Sequence, residues 1–117
     1  MPLTWGTCSD DHSWCGFLNL NINHPSFEGR QGVYIIWQAK GPIIRVGQGI
    51  IRDRIQAHRS DPSITAYPNL YLTWATVPSG QMDGVERFLA ERLHPAVGER
   101  FPAQAAAIPV NLPWPYP

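Results

Sequence analysis

The sequence lacks the features that mark membrane-bound and secreted proteins. No stretch approaches the ~18 consecutive apolar residues that a membrane-spanning helix requires. The N-terminal stretch MPLTWGTCSDDHSW has neither the basic start nor the apolar run of a signal peptide. We therefore expect a cytoplasmic protein that does not associate with a membrane. Export as a toxin by another route remains the alternative.

Charge is also scarce, because only 15% of the residues are charged, against an average of about 25%. Nine basic and nine acidic residues give a net charge of zero, which argues against a protein that binds many phosphates at once. The basic residues nevertheless cluster between positions 30 and 59, where only Asp53 opposes them. This basic stripe consists of Arg30, Lys40, Arg45, Arg52, Arg54 and Arg59. A single lysine among the nine basic residues is typical of a GC-rich bacterial genome.

Cysteine is limited to Cys8 and Cys15, which are too few for a disulfide scaffold. His12 lies between them and His24 follows, so a zinc site is one interpretation. The spacing matches no tight zinc knuckle. We expect buried or free thiols instead.

What is present predicts one α+β domain over residues 1–117, with a loop-rich N-terminal arm (1–31), a core (32–98) and an extended, proline-rich tail (99–117). The core pattern favours a small mixed or antiparallel three-stranded sheet flanked by helices, in the order ββαβα. Strands are predicted at 33–39, 43–48 and 70–77, and helices at 50–60 and 85–93. We expect the tail to pack on the core through Ile108, Val110, Leu112 and Trp114.

Chemistry-bearing residues fall at regular places in these elements. On the first helix, Arg54 and His58 project near the apolar face, one turn apart, which predicts a small cationic pocket. On the second helix, Glu86 borders the apolar face and offers the carboxylate oxygen that Mg²⁺ prefers. Each residue also has a structural interpretation. The Arg54 stem can lie along apolar surface, His58 can cap its helix, and Tyr34 in the first strand can be a packing residue.

Taken in order, these residues resemble a known family. Gly32-Val33-Tyr34 and Arg45-Val46-Gly47 resemble the paired signatures of the GIY-YIG nuclease superfamily. The spacing of Arg54 and His58 is similar to the arginine and the His or Tyr of the family's helix. Glu86, followed nine residues later by Pro95, resembles the family's metal-binding glutamate and the proline that ends its helix. The resemblance covers residues 32–98.

The resemblance implies a metal-dependent endonuclease that hydrolyses phosphodiester bonds, with DNA as the expected substrate. Glu86 would bind Mg²⁺ or Mn²⁺, Arg54 would hold the phosphate, and Tyr34 would act as base with His58 assisting. The residues expected to contact substrate are Lys40, Gly47, Arg52 and Asn111. A nuclease this small and neutral is expected to need a homodimer or a protein partner.

The sequence departs from the family pattern at two positions. Arg45 replaces the tyrosine of the second signature, and there it is a candidate second phosphate ligand. Gly98 stands where the late asparagine is expected, with Asn111 as its stand-in. One alternative is therefore an inactive module that only binds nucleic acid or a protein. Another is an unrelated α+β protein in which Arg54 and Glu86 form a buried salt bridge.

Overall fold

The protein has an α+β fold built on one antiparallel sheet, which confirms the predicted fold class. The computed structural model describes residues 1–8, 13–98 and 105–114. Its strands are β1 (Cys15–Gly16), β2 (Gln31–Gln38), β3 (Ile43–Ile50) and β4 (Leu70–Thr76), and its helices are α1 (Ile51–Arg59), α2 (Pro62–Thr65) and α3 (Met82–Leu93). Among the helices of these described ranges, none is long and apolar enough to cross a membrane.

The sheet has four strands in the order β1-β4-β2-β3, so the prediction of a three-stranded sheet is wrong. The additional strand, β1, lies at one edge and pairs Cys15 with Leu72 of β4. Two residues are too few to show the alternation that identifies a strand in a sequence. The β2–β3 hairpin was predicted correctly, and it places β3 at the opposite edge.

The predicted ββαβα order also lacks the short helix α2. It begins directly after the point at which the first helix was predicted to end. The stretch Asp61-Pro62-Ser63 was interpreted as the stop of α1. In the structure the Asp61 carboxylate accepts a hydrogen bond from the Ser63 backbone N–H at 3.0 Å, and Pro62 is the first helical residue. An aspartate N-cap followed by proline is a strong start signal for a helix, so the same three residues end one helix and begin another.

The sheet separates two hydrophobic cores because successive residues of β2 point to opposite faces. Tyr34 and Ile36 pack with α1 on one face, and Val33, Ile35 and Trp37 pack with α3 on the other. The described part of the tail also packs on the α3 face through Ile108, Val110, Leu112 and Trp114, as predicted. Both helices contact β2 and the edge strand β3, and the candidate site forms around β3.

The two cysteines form a disulfide, with their Cα atoms 5.1 Å apart. Neither thiol is free, so the expectation of buried or free thiols and the zinc interpretation are both wrong. His12, which the zinc interpretation used, lies outside the described residues. A pair of cysteines seven residues apart gives no sequence signal for bonding, because the bond depends on how the loop between them turns. Its effect is to fasten the N-terminal arm to β1.

Arginine side chains hold the rest of the arm against the core. Arg30 donates to the backbone oxygen of Ser26 at 2.9 Å, and Arg52 donates to that of Ile22 at 2.8 Å. Arg59 donates to the carbonyl oxygens of Phe17 and Leu20. Carbonyl groups of an irregular segment have no strand or helix partner, and these guanidinium groups supply one. Half of the basic stripe is therefore used to build the fold.

Candidate active site

The centre of the site is a hydrogen bond between Tyr34 of β2 and His58 of α1. The tyrosine oxygen lies 2.5 Å from Nε2 of the histidine. Both side chains are buried, with exposed fractions of 1% and 5%. The prediction that His58 faces inward is confirmed, since His58 lies on the same buried side of α1 as Ile51 and Ile55.

Gly47 makes room for this pair. It lies directly opposite Tyr34 in the β2–β3 register. A Cβ atom at position 47 would overlap the tyrosine hydroxyl and would lie only 2.9 Å from the ring atom Cε1. Gly47 was predicted to contact substrate by letting the protein backbone approach it closely, and the structure gives a simpler reason for the glycine. The glycine admits the phenol ring of Tyr34 across the edge strand.

Two arginines flank the pair. Arg45 lies opposite Ile36 in the register and so shares the α1 face of the sheet with Tyr34. Its Nε atom is buried and finds no hydrogen-bond partner among the described residues. Arg54 is exposed on α1, and its stem passes over Gly49. Within the described ranges, no carboxylate lies in salt-bridge distance of either guanidinium group, so the interpretation of an Arg54–Glu86 salt bridge is wrong.

Burial and the two arginine charges set the protonation of the pair. Burial raises the pKa of Tyr34, while hydrogen bonding and charge from Arg54 and Arg45 act in the opposite direction. Burial first, and then the Arg45 and Arg54 charges, lower the pKa of His58 to about 4. At neutral pH the phenol is therefore protonated and the imidazole is neutral. In the tautomer with the histidine proton on Nδ1, the hydroxyl of Tyr34 donates to Nε2 of His58.

A pair of carboxylates lies on the other side of β3. Glu86 of α3 is only 7% exposed, so it is buried rather than at the border that the sequence predicts. Its Oε2 accepts a hydrogen bond at 2.9 Å from the side-chain amide of Gln48, and the same amide donates to Asp83 Oδ1 at 2.6 Å. Burial raises the pKa of Glu86, the Gln48 hydrogen bond and the Arg45 charge lower it, and the nearby Asp83 raises it again.

Gln48 and Asp83 are the two site residues that sequence reasoning missed. The signal for Asp83 was present, since it precedes Glu86 by three residues and so lies one helical turn away on the same side of α3. The signal for Gln48 was strand alternation. It follows Gly47 and lies opposite Val33, so it must point to the α3 face, where the glutamate is.

The carboxylate pair fits a small divalent cation by its chemistry. Mg²⁺ uses one or two protein carboxylates and takes its remaining oxygens from water and phosphate. The amide nitrogen of Gln48 donates to both carboxylates, so the two carboxylates converge on one positively polarised group. Among the residues that the structure describes, no group of three His, Cys, Asp or Glu side chains forms a protein-only metal cage.

Three residues predicted to contact substrate lie elsewhere. Arg52 is engaged by the arm through the carbonyl oxygen of Ile22. Asn111 binds the backbone of Leu3 with both ends of its amide, at 2.6 and 2.9 Å. Lys40 lies in the turn of the hairpin, with a φ of 56°, six residues beyond Tyr34, or about 20 Å along an extended chain. Asn111 is therefore not a stand-in for the late asparagine, because its amide already has its partners.

The structure thus forms two clusters on the two sides of β3. One contains Tyr34, Arg45, Gly47, Arg54 and His58, and the other contains Gln48, Asp83 and Glu86. The charges of Arg45 and Arg54 act on the Glu86 carboxylate across the strand. Against known proteins, no family model, curated protein or solved structure matches the chain.

Proposed function

We propose that the protein is a divalent-metal-dependent endonuclease of the GIY-YIG type, which hydrolyses phosphodiester bonds of nucleic acid, with DNA as the expected substrate. The observation that carries the proposal is the Tyr34–His58 hydrogen bond beside two guanidinium groups without carboxylate partners. A structural arginine is normally paired or bonded to the backbone, as Arg52 and Arg59 are. Arg45 and Arg54 keep their charge available for an anion.

The arginines bind and polarise the phosphate. A guanidinium group matches two phosphate oxygens and retains its charge at every physiological pH. Arg45 is partly buried and Arg54 is exposed, so the first meets the phosphate deep in the cleft and the second meets it from the α1 side. Both stabilise the charge that grows on the phosphate oxygens during hydrolysis.

The tyrosine and histidine handle the proton of the attacking water. Tyr34 accepts that proton on its oxygen while its own proton passes to Nε2 of His58. This transfer avoids a free phenolate, which burial disfavours because it raises the pKa of Tyr34. Phosphate binding assists the transfer. An anion beside Arg45 and Arg54 offsets the charges that lower the pKa of His58, and so makes the imidazole a better base.

Glu86 and Asp83 would hold Mg²⁺ or Mn²⁺. When bound, the ion supplies charge stabilisation for the leaving oxygen. Within the protein, Gln48 keeps the two carboxylates oriented by donating to both, and burial of Glu86 limits the water that competes for its oxygens.

The second candidate is an inactive module that binds nucleic acid, and the observation that favours it is Arg45. It replaces the signature tyrosine and occupies the cleft beside Tyr34. If Tyr34 cannot substitute for the missing tyrosine, the site binds a phosphate but does not cleave it. The Arg45→Tyr variant separates the candidates, because only an inactive natural protein gains cleavage from this change.

The test is cleavage of supercoiled plasmid, single-stranded DNA and RNA with Mg²⁺ or Mn²⁺, beside EDTA. Glu86→Gln is the informative variant because it keeps the buried volume and removes the charge. Glu91→Gln on the same helix is its control, since Glu91 is exposed and forms an i,i+4 surface pair with Arg87. Metal-dependent cutting that Glu86→Gln loses and Glu91→Gln keeps supports the endonuclease. Equal cutting by both variants removes Glu86 from the site.

A further inference from the structure

We propose that Gly98 is a positioning residue for Arg45. The guanidinium group occupies the space that a side chain at position 98 would fill, and we call this space the seat. This inference rests on the proposed function, in which Arg45 binds the phosphate. A Cβ atom at position 98 would overlap Nη1 of Arg45 and would lie 2.8 Å from Cζ. Real Cβ atoms essentially never approach another heavy atom that closely, so any side chain at position 98 displaces the guanidinium group.

The seat is fixed relative to the strand that carries Arg45. The backbone N–H groups of Ala96 and Val97 donate to the carbonyl oxygens of Ile43 and Ile44 in β3, at 3.0 and 2.8 Å. Gly98 follows directly and has a φ of 101°, in the region that favours glycine. The segment after α3 therefore pairs with the start of β3, and its Gly98 lies against the Arg45 side chain.

A seat matters because an arginine side chain is long and flexible, so fixing it in one conformation costs much rotamer entropy. Arg45 is not fixed by an ion pair, and its buried Nε finds no hydrogen-bond partner in the described part of the chain. Close packing against Gly98, together with the hydrogen bond to Tyr34, restricts it. The guanidinium group is thereby held in place before a phosphate arrives, which lowers the entropy lost on binding.

The same arrangement recurs more loosely at the other phosphate-binding arginine. A Cβ atom at Gly49 would lie 3.2 Å from both Cγ and Cδ of Arg54, and Gly49 has a φ of 131°. That distance is only slightly tighter than an ordinary contact, so a shift of a few tenths of an ångström in the Arg54 stem relieves it. At Gly98 the overlap is with the guanidinium group itself. Position 98 is therefore the sharper place to test the idea.

The test is a double-mutant cycle of Gly98→Ala with Arg45→Ala, measured by affinity for a fluorescent single-stranded oligonucleotide in EDTA. Each single variant is expected to bind roughly tenfold more weakly, since each removes one charge-assisted phosphate contact. Gly98→Ala is expected to add nothing in the Arg45→Ala background, because residues that act through one another are non-additive. Gly29→Ala is the matched control. Gly29 has a φ of 65°, and nothing lies within 4 Å of the added methyl group.

A second readout does not depend on nucleic-acid binding. The Arg45 charge is one cause of the lowered pKa of His58. Arg45→Ala is therefore expected to raise that pKa in an NMR titration, and Gly98→Ala is expected to raise it as well, with no further rise in the double variant. If no variant binds nucleic acid but the titration behaves in this way, the proposed function fails and the seat stands.

Folding of the variants completes the test. If Gly98→Ala unfolds the protein because of the overlap, Arg45→Ala restores the fold, and this rescue supports the seat. Unfolding that Arg45→Ala does not rescue assigns the damage to backbone strain at position 98 and overturns the proposal. Folded variants whose effects on both affinity and the pKa of His58 are additive also overturn it. The proposal fails as well if Gly98→Ala changes neither quantity.

Discussion

The hydroxyl oxygen of Tyr34 and Nε2 of His58 are joined by a 2.5 Å hydrogen bond within the protein interior. They come from a strand and a helix whose sequence positions differ by 24 residues. Burial raises the pKa of the first and lowers the pKa of the second, so both are neutral at pH 7. A neutral hydroxyl that donates to a neutral imidazole is ready to pass on a proton.

Tyr34→Phe removes the proton path and keeps the ring. We expect cleavage to fall by roughly 10²-fold or more, the usual contribution of a general base, while affinity for an oligonucleotide changes by less than about twofold. The measurement is single-turnover cleavage together with fluorescence anisotropy. Tyr71→Phe is the control, because Tyr71 is exposed and outside the site. Undiminished cleavage by Tyr34→Phe would assign the tyrosine to packing alone.

The lowered pKa of His58 predicts how stability depends on pH. The unfolded histidine titrates near 6.5 and the folded one near 4, so between these values the unfolded state binds more protons. The free energy of unfolding should therefore fall as pH decreases from 6.5 towards 4, by up to about 3 kcal/mol from this residue. Urea unfolding across this range measures the change. His58→Gln should flatten the profile relative to the natural protein, and parallel profiles would contradict the shift.

The salt dependence of nucleic-acid binding should be shallow. Three arginines of the basic stripe hold the arm and Lys40 lies in the distant turn, which leaves two cations for phosphate. For a single strand, two contacts give a slope of log K against log salt of about −1.4. Arg54→Gln should reduce the magnitude of this slope by about 0.7, as read by anisotropy titrations at several salt concentrations.

Arg52→Gln is the control for that experiment. Its guanidinium group donates to the carbonyl oxygen of Ile22, so the slope should stay unchanged while the free energy of unfolding falls by about 1 kcal/mol. A change in slope for Arg52→Gln equal to that of Arg54→Gln would mean that the arm releases Arg52 when nucleic acid binds.

Arg45→Met tests whether Arg45 is present for function rather than stability. The residue buries an Nε atom without a hydrogen-bond partner among the described residues, which carries a desolvation cost of about 1–3 kcal/mol. An apolar side chain of similar length removes that cost. We expect the free energy of unfolding to stay unchanged or rise by about 1 kcal/mol, while oligonucleotide affinity falls. Urea unfolding decides, and a clear loss of stability would show that the guanidinium group supports the fold.

Sequence periodicity was sufficient for the elements that bury a regular face. The alternation of β2 and the helical spacing of Ile51 and Ile55 predicted the hairpin, α1 and the inward position of His58. It failed for β1, because two residues carry no period, and for α2, because the capping signal of Asp61 was interpreted as a stop. The disulfide was missed because its geometry is set by the fold of the arm.

Sequence reasoning predicts the direction of a side chain best where its helix or strand fixes that direction. It predicts poorly where a distant hydrogen-bond partner fixes it. Helical angle placed His58 on the buried side of α1, whereas Glu86 is buried rather than at the border and Arg54 is exposed rather than near the apolar face. Arg52 was misassigned because its acceptor, the carbonyl group of Ile22, belongs to an irregular segment without any pattern. Asn111 was misassigned for the same reason, since its partner is the backbone of Leu3 at the far end of the chain. A sequence shows that a side chain is charged or polar, but it does not show which atoms of the fold already form hydrogen bonds with that side chain.

The bonds between Asn111 and Leu3 have a consequence for how the protein is made. They join residues that are 108 positions apart, so Leu3 leaves the ribosome long before its partner Asn111 is translated. During synthesis the hairpin and α1 can form from neighbouring segments, but the start of the arm must wait for residue 111 before it can dock. Until then Leu3 lacks this partner, and synthesis of the segment around Asn111 is the event that lets the start of the arm dock.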